Sequence, residues 1–214
     1  MSRAHASGGQ IALPLGSAMT GQPRRVVVGD ANAAAVEALS HPETWPYRTA
    51  VLCGEPRSGK SLLAKWFMDS GMGDAIDDAD KMDETALFHR WNRAQADGVP
   101  LLLTTTLGAE GAVWSIALPD LRSRMGGSLW VEIDTPDDAM LADLIAAHAE
   151  ARGLILPDDG LRYLASRCER SHMGAERLVA EIDRISLERK CAPGAAVWRE
   201  ALEVMIGPDQ PSLL

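Results

Sequence analysis

The chain has 214 residues, of which 46% are hydrophobic and 24% are charged, and its formal net charge at pH 7 is −9. This composition is typical of a globular protein, and the acidic balance lacks the basic patch that binds phosphate backbones, so direct specific DNA binding is not expected. Three scattered cysteines indicate neither a disulfide framework nor a zinc site, and no apolar run approaches a membrane span or a signal-peptide core, so a cytoplasmic protein is expected.

The first 24 residues are rich in Gly, Ser, Pro and Ala, which is typical of a flexible leader. Within this leader, the apolar hexapeptide QIALPL, residues 10–15, has two interpretations: an edge strand of the main fold, or a docking peptide for another protein. The run RRVVVGDAN then predicts a short strand, followed by a helix through AAAVEALS with Asp30 or Asn32 as its cap.

From residue 48 onward, predicted strands and helices alternate. RTAVLCG (48–54), VPLLLTTT and SLWVEI read as strands, whereas DAIDDAD (74–80) is a short and poor strand. Helices are predicted from Lys60, over DETALFHRWNRAQADG with Asp83 as N-cap and Gly98 as stop, and over LPDLRSRM.

After Thr135 the pattern becomes wholly helical. The predicted helices cover residues 136–152, 157–168, 174–190 and 195–206. Alternating strands and helices followed by helices alone predict a parallel α/β sheet domain with a small helical domain after it. The expected division is a leader (1–24), an α/β domain (25–135), a helical lid (136–206) and a tail (207–214).

The motif GEPRSGKS, residues 54–61, fits the P-loop pattern G-x-x-x-x-G-K-[ST] and lies between a predicted strand and a predicted helix. Gly54 and Gly59 allow the backbone N–H groups to point at phosphate oxygens, and the helix N-terminus adds partial positive charge. Lys60 is expected to reach the β- and γ-phosphates, and Ser61 to ligate Mg²⁺. The motif in this context predicts an ADP or ATP site rather than a coincidental glycine-rich turn. The other loop positions expected to line it are Pro56, Arg57, Ser58 and Leu62.

A P-loop metal site needs a carboxylate from a neighbouring strand end. AIDD offers Asp77 as that metal ligand, because the preceding Ala75 and Ile76 are apolar, and Asp78 follows it where a water-orienting acid would lie. The alternative is that the acids of DADKMDE form a solvated face.

With the phosphate loop, IDDAD, LPDLRSRM and the helical tail in this order, the chain resembles the DnaA-related AAA+ family, and more narrowly the Hda family of regulators that inactivate the replication initiator DnaA. The resemblance runs from about Gln10 to the C-terminus. It implies a P-loop AAA+ parallel sheet followed by a helical lid. The segment between Ser61 and Asp77 is too short for the helix, extra strand and extra helix usual there, so the sheet is expected to lack one edge unit.

The resemblance also implies roles around the nucleotide. VVVGDAN resembles the segment that contacts the adenine base, which implicates Val27, Val28 and Asn32. In LLLTTT, Thr106 matches the family's sensor 1 polar residue. Thr104 and Thr105 are the possible substitutes for it. In CERSHMGAERL, the sensor 2 arginine corresponds to Arg170, with Arg167 and Arg177 as alternatives.

Two further features of the resemblance concern other proteins. In LPDLRSRM, Arg124 matches the arginine finger that acts on nucleotide held by a neighbouring molecule, with Arg122 as the first alternative. The Hda family also carries an N-terminal peptide, Gln-Leu-x-Leu-Pro-Leu in pattern, that docks on the DNA polymerase sliding clamp, and QIALPL matches it with an isoleucine at the second position. The clamp-contacting residues implied are Gln10, Ile11, Leu13, Pro14 and Leu15.

The function implied is that of a nucleotide-bound adaptor, with ADP the expected resident. It would dock the β subunit of the clamp and stimulate ATP hydrolysis by DnaA, with weak or no turnover of its own. A homodimer is compatible with this function. The alternative is a self-sufficient P-loop ATPase or small-molecule kinase, because Lys60, Ser61, Asp77 and Asp78 are all present. A membrane-linked scaffold has no support, since no amphipathic basic helix is evident.

Overall fold

The computed structural model describes residues 12–14, 25–107 and 114–206. The strands in these ranges are β1 (Ala12–Pro14), β2 (Arg25–Val27), β3 (Thr49–Gly54), β4 (Asp74–Ile76), β5 (Leu101–Thr106) and β6 (Leu129–Ile133). The α-helices are α1 (Asp30–Ser40), α2 (Lys60–Asp69), α3 (Glu84–Asp97), α4 (Pro119–Gly126), α5 (Asp138–Ala151), α6 (Asp158–Ala165), α7 (His172–Arg189) and α8 (Ala195–Ile206). None of the helices in these ranges is long and apolar enough to cross a membrane.

The centre of the fold is a parallel sheet of four strands, in the order β4-β5-β3-β6 within the described ranges. β3 is buried along its whole length and lies between β5 and β6. Its last residue, Gly54, pairs with Thr106 on one side and with Ile133 on the other. The segments that follow these strands therefore emerge at one edge of the sheet, which is where parallel α/β sheets bind ligands. The four strands described in this sheet agree with the prediction, made from the short segment between Ser61 and Asp77, that the sheet lacks one edge unit.

Helices cover both faces of this sheet, because successive residues of a buried strand point to opposite sides. Leu52 packs with Phe67 of α2 in a cluster that α1 and α2 complete, which we call the first sheet cluster. Val51 packs with Leu87 of α3 in a second cluster, completed by α4. A third cluster, here called the helical cluster, is built around Ile182 of α7 and joins α5, α6, α7 and α8.

The helix boundaries follow capping chemistry. α3 begins and ends as predicted: Asp83 Oδ1 accepts a hydrogen bond from the Ala86 amide at 2.9 Å, and Gly98 ends the helix at φ +67°. α7 begins at His172 rather than at residue 174, because Ser171 Oγ accepts from the Gly174 amide at 2.8 Å and caps the helix there.

The cap predicted for α1 is wrong. Gly29 holds the N-cap position, and α1 begins at Asp30. Asn32, three residues after the cap, accepts from the Gly29 amide at 2.9 Å through Oδ1. Asn32 thus supplies the one side-chain hydrogen bond of a capping box, because the N-cap residue is a glycine and has no side chain that could accept one.

Near the start of the chain, β1 pairs antiparallel with β2, with Leu13 opposite Val26. This pairing is separate from the four-stranded sheet. Residues 12–14 therefore form a strand, as the edge-strand interpretation of QIALPL expects, although this strand is not part of the main sheet. The remaining residues of the hexapeptide, Gln10, Ile11 and Leu15, lie outside the described ranges.

Candidate nucleotide-binding site

The loop between β3 and α2 has the backbone that a phosphate cradle requires. Gly59 caps α2 at φ +94°, a conformation that side chains rarely adopt, and Arg57 stands at φ +59°. Gly54 has no room for a side chain, since a Cβ there would lie 2.9 Å from Ser58 Oγ and 3.1 Å from the Ile133 carbonyl oxygen. Glycine is thus required at both positions of the motif, at Gly59 by the backbone conformation and at Gly54 by the lack of space for a side chain.

Lys60 is enclosed by this loop and is only 5% exposed. Its Nζ donates to the carbonyl oxygens of Gly54 at 2.9 Å and Glu55 at 2.7 Å. Burial lowers the pKa of Lys60, while the charges of Asp78, Asp77 and Asp80 act in the opposite direction. A cation held in this way, without a carboxylate in direct contact, is suited to an incoming anion.

A buried threonine organises the carboxylates beside the loop. Thr104 Oγ1, on β5, donates to Asp77 Oδ1 at 2.5 Å and accepts from the Asp78 amide at 2.9 Å. Asp78 adopts φ +50°, and its Oδ2 accepts from Lys81 Nζ at 2.7 Å. Of the three threonines considered from the sequence, Thr104 therefore contacts Asp77, whereas Thr106 pairs in the sheet opposite Gly54.

The side-chain oxygen atoms around the loop are ligands of the kind that Mg²⁺ prefers. Ser61 lies exposed in the first turn of α2, and Asp77 lies exposed after β4, so both present oxygen atoms. Within the described ranges there is no group of three or more His, Cys, Asp or Glu side chains that could hold a metal on its own. P-loop Mg²⁺ is held by few protein oxygens, with water and phosphate completing its shell, so one hydroxyl and one carboxylate suffice.

The segment expected near the adenine base is fixed between two clusters. Val28 packs against the first sheet cluster and Val27 against the helical cluster. Asn32 is buried, and its Nδ2 donates to the Val27 carbonyl oxygen at 2.8 Å. Its side chain therefore holds this segment in shape. Of the other loop positions, Pro56 is exposed and Leu62 packs against the first sheet cluster.

The lid arginines considered from the sequence lie on the surface. Arg170 Nη2 donates to Asp138 Oδ1 at 2.6 Å, and the Arg167 guanidinium lies 4.2 Å from the centroid of the Tyr163 ring. Arg177 is exposed on α7. None of the contacts in the described part of the chain joins these three arginines to the phosphate loop, and a sensor role for Arg170 stays a prediction.

Two other residues of α7 meet the loop instead. The Glu176 carboxylate accepts a hydrogen bond from Arg57 Nη2. The His172 ring lies against Gly59, with its Cε1 3.5 Å from the position that a Cβ would take. No motif in the sequence marks either residue, although their spacing of four places them on one face of a helix. Spacing alone does not tell which face of α7 turns toward the loop.

His172 is also notable for its protonation. Burial lowers the pKa of His172 to about 4, and the nearby His148 and Lys60 contribute in the same direction. Burial likewise lowers the pKa of His148, against the charge of Glu176. The buried His172 Nε2 and His148 Nδ1 have no hydrogen-bond partner among the described residues. Both imidazoles are therefore neutral at pH 7.

Arg124 lies far from the phosphate loop of its own chain. Its guanidinium carbon is 4.8 Å from the centroid of the Trp91 ring, and Trp91 Nε1 donates to Thr49 Oγ1 at 3.0 Å. Thr49 begins β3 and Gly54 ends it, so about 16 Å of strand separates this contact from the loop. Arg122 is held differently, since its Nε donates to the Ile116 carbonyl oxygen at 2.7 Å.

The lowered pKa of His172 predicts acid sensitivity of the nucleotide-free protein. Because the unfolded chain protonates near the ordinary value of 6.5 and the folded chain only near 4, the unfolded state binds more protons between these values, and stability falls as the pH drops through this range. For this group the loss between pH 7.5 and pH 5 is about 2 kcal/mol. Urea unfolding of the wild type and His172→Gln at both pH values measures it.

The glutamine variant should lose less stability on acidification than the wild type by about that amount, because it lacks this titrating group. His89→Gln, at an exposed site on α3, is the matched control and should behave as the wild type. Equal acid-induced losses in the His172 variant and the wild type would contradict the prediction.

A comparison with protein-family models finds no match for this chain. An uncharacterized protein of Haemophilus influenzae is 29% identical over 105 residues, which is 49% of this chain and 45% of that protein. The chain thus matches less than half the length of this curated relative.

Solved structures are similar over most of the chain. Domain III of the replication initiation protein DnaA from Thermotoga maritima has a TM-score of 0.66 at 16% identity, with 86% of this chain and 95% of that chain covered. The Holliday junction branch migration motor RuvB of Thermotoga maritima has a TM-score of 0.59 at 19% identity, with 83% and 70% covered. A DnaA bound to AMPPCP and single-stranded DNA has a TM-score of 0.54 at 18% identity, with 76% and 65% covered. This chain has the α/β fold of domain III of DnaA and of RuvB.

Proposed function

We propose that this protein is a nucleotide-bound AAA+ adaptor of the Hda kind, which docks the sliding clamp and stimulates ATP hydrolysis by DnaA, and so restrains replication initiation. The observation that carries the proposal is the separation of two sets of residues. The phosphate loop lies at the carboxyl edge of the sheet, whereas Arg124 contacts Trp91, whose indole is bonded to Thr49 at the amino edge. An arginine so far from its own nucleotide is suited to the nucleotide of another molecule.

The chemistry suits that role. Arg124 is exposed, and the indole of Trp91 supports its guanidinium without forming a hydrogen bond with it, so the donors of the planar fork stay available. Pressed against ATP held by DnaA, the fork would bond two phosphate oxygens and offset the charge that develops during phosphoryl transfer. Arginine fingers increase such rates by about 10³ to 10⁵.

The protein's own nucleotide has a structural part in this proposal. The loop amides and Lys60 would hold the phosphates of ADP or ATP, and Ser61 and Asp77 would hold Mg²⁺. The metal would neutralise phosphate charge. The base would lie against the segment of Val27 and Val28, which contacts both the first sheet cluster and the helical cluster.

Clamp docking is the second part of the proposal, and it rests on the match of QIALPL to the family pattern. Ala12, Leu13 and Pro14 pair with β2 over only three residues. A two-stranded pairing of this length is marginally stable on its own, so a peptide could leave it for an apolar pocket on another protein. The same segment could therefore pair with β2 in the free protein and leave it to dock on the clamp.

A self-sufficient ATPase is the second candidate function. Its support is the arrangement around Thr104, which bonds the Asp77 carboxylate and the Asp78 amide. The charges of both aspartates act on Lys60. Turnover of ATP by the purified protein alone separates the two candidates. Slow or absent turnover with tight ADP binding favours the adaptor.

Lys60→Ala should weaken ADP binding about 100-fold or more, because the variant removes the buried ammonium beside the phosphates. Calorimetry with ADP and Mg²⁺ measures the affinity. Lys65→Ala is the matched control, since Lys65 lies exposed on the same helix and pairs with Asp69 at 3.0 Å. Wild-type affinity in the Lys60 variant would rule out this loop as the nucleotide site.

Replacing Gln10 and Leu13 together with alanine should abolish binding to the sliding clamp, because the anchoring amide and an apolar contact are both lost. ADP affinity should not change. Co-elution with purified clamp on gel filtration is the measurement. A double variant that still co-elutes with the clamp would show that the segment serves another purpose.

Arg124→Ala should leave folding, ADP affinity and clamp binding near the wild type and reduce stimulated hydrolysis of DnaA-bound ATP by about 10³-fold. Lysine at this position should rescue poorly, because a point charge lacks the planar fork. The rate of ADP formation on DnaA, with clamp loaded on DNA, measures the effect. Arg93→Ala, at an exposed residue of α3, is the control. A rate within a few-fold of the wild type would assign the finger to another residue.

A further inference from the structure

A cavity of about 360 Å³ lies where β3, β5 and β6 end, at the carboxyl edge of the sheet. It is on the face that carries the cluster of Val51 and Leu87, whereas α2 packs against the other face. Pockets for small molecules have volumes of about 300 to 1,000 Å³. The cavity therefore has the size of a small-molecule site, and the sheet separates it from the helix that follows the phosphate loop.

Three side chains that line the cavity form one row across the sheet. Cys53 of β3 is opposite Thr105 of β5 on one side and opposite Glu132 of β6 on the other. Neighbouring strands are about 4.8 Å apart, so the backbones at Thr105 and Glu132 are separated by about 10 Å. The row thus places a hydroxyl and a carboxylate two strands apart, with a thiol between them.

The Thr105 hydroxyl has no hydrogen-bond partner. Thr105 is only 1% exposed, and no atom of the described residues bonds its buried Oγ1. A buried hydroxyl without a partner costs free energy and is rare in native proteins. Valine has nearly the same shape and would avoid this cost. A polar group on a bound molecule would give the hydroxyl the partner that it lacks.

Other polar atoms beside the cavity are already bonded within the protein. Cys53 Sγ donates to the Val131 carbonyl oxygen at 3.4 Å, and Trp130 Nε1 donates to the Met125 carbonyl oxygen at 2.8 Å. Burial and the charge of Glu132 raise the pKa of the Cys53 thiol, which is therefore neutral at pH 7. The thiol and the indole are thus available for apolar contacts with a ligand.

The charge and the aromatic lining of the cavity favour a cation. Glu132 is exposed and has no ion-pair partner among the described residues. Trp114 and Trp130 both line the cavity and pack, partly buried, against the cluster of Val51 and Leu87. Indole rings attract organic cations through their π electrons, and a carboxylate attracts them through its charge. The same carboxylate repels an anion.

We propose that this cavity is a binding site for a small aromatic amine that carries a hydroxyl group at the end opposite its ammonium group. The ammonium group pairs with Glu132, and the hydroxyl group bonds Thr105 Oγ1. The aromatic ring lies between these two ends and contacts Trp114 and Trp130. The site takes a ligand other than the nucleotide, and the inference does not rest on the proposed function.

Tyramine is a suitable probe, because one ring separates its ammonium group from its hydroxyl. In calorimetry at neutral pH, the protein should bind tyramine about tenfold more tightly than phenethylamine, which lacks the hydroxyl that Thr105 would bond. The analogue 3-(4-hydroxyphenyl)propionate has a carboxylate in place of the ammonium group. It should not bind measurably, because Glu132 repels it.

Two variants test the two ends of the ligand separately. Thr105→Val should bind tyramine and phenethylamine equally, and it should melt at or above the wild-type temperature because an unpaired buried hydroxyl is removed. Glu132→Gln should weaken tyramine binding about tenfold. Glu188→Gln is the control, since it removes a carboxylate of α7 that pairs with Arg184 at 2.6 Å. This control should bind tyramine as the wild type does.

A wild-type protein that does not bind tyramine at millimolar concentration would overturn the inference. A Thr105→Val variant that keeps the preference for tyramine over phenethylamine would also overturn it, as would equal binding of tyramine and the carboxylate analogue by the wild type. None of these results bears on nucleotide binding, so the proposed function would stand in each case.

Discussion

The ammonium of Lys60 lies in the curl of the phosphate loop, where the carbonyl oxygens of Gly54 and Glu55 accept its hydrogen bonds. Burying a cation costs free energy unless polar atoms surround it, and only a backbone that turns through Gly59 can bring these atoms around one side chain. The loop in turn depends on the parallel register that ends β3 beside Ile133. The position of α2, the carboxylates after β4 and the contact with α7 all follow from this arrangement.

The two edges of the sheet separate two kinds of chemistry. At the carboxyl edge, Thr104 bonds the Asp77 side chain and the Asp78 amide, which joins β5 to the acidic turn after β4. At the amino edge, Trp91 joins α3 to Thr49 and carries Arg124. A parallel sheet makes this separation unavoidable, because the helices run back between the strands and deliver their last residues to the opposite edge. Arg124, near the end of α4, therefore lies at the amino edge, away from the phosphate loop.

The sequence predicted those features that depend on neighbours along the chain. The strand, the glycine loop and the helix of the phosphate site follow from residues 48–69, and the ends of α3 follow from Asp83 and Gly98. The contact of Glu176 with Arg57 did not follow, because it depends on which face of α7 packs toward the sheet. Thr104 was left among three threonines, since alternation along β5 does not say which one reaches the turn after β4. The cap of α1 was missed because Gly29 offers no side chain to recognise.

The short segment from Val26 to Asn32 has a consequence for the way the protein unfolds. Val26 is buried in the first sheet cluster, whereas Ala31 is buried in the helical cluster and the partly buried Val27 packs against it. The Asn32 side chain donates a hydrogen bond to the Val27 carbonyl oxygen and so holds this backbone in shape. Separate hydrophobic clusters can open independently when only a loose connection joins them. Here the neighbouring residues Val26 and Val27 of one strand pack in different clusters. Neither cluster can therefore lose its packing without displacing a residue that packs in the other cluster. The sheet and the helices after it are thereby joined into one cooperative unit, whose melting should be a single transition.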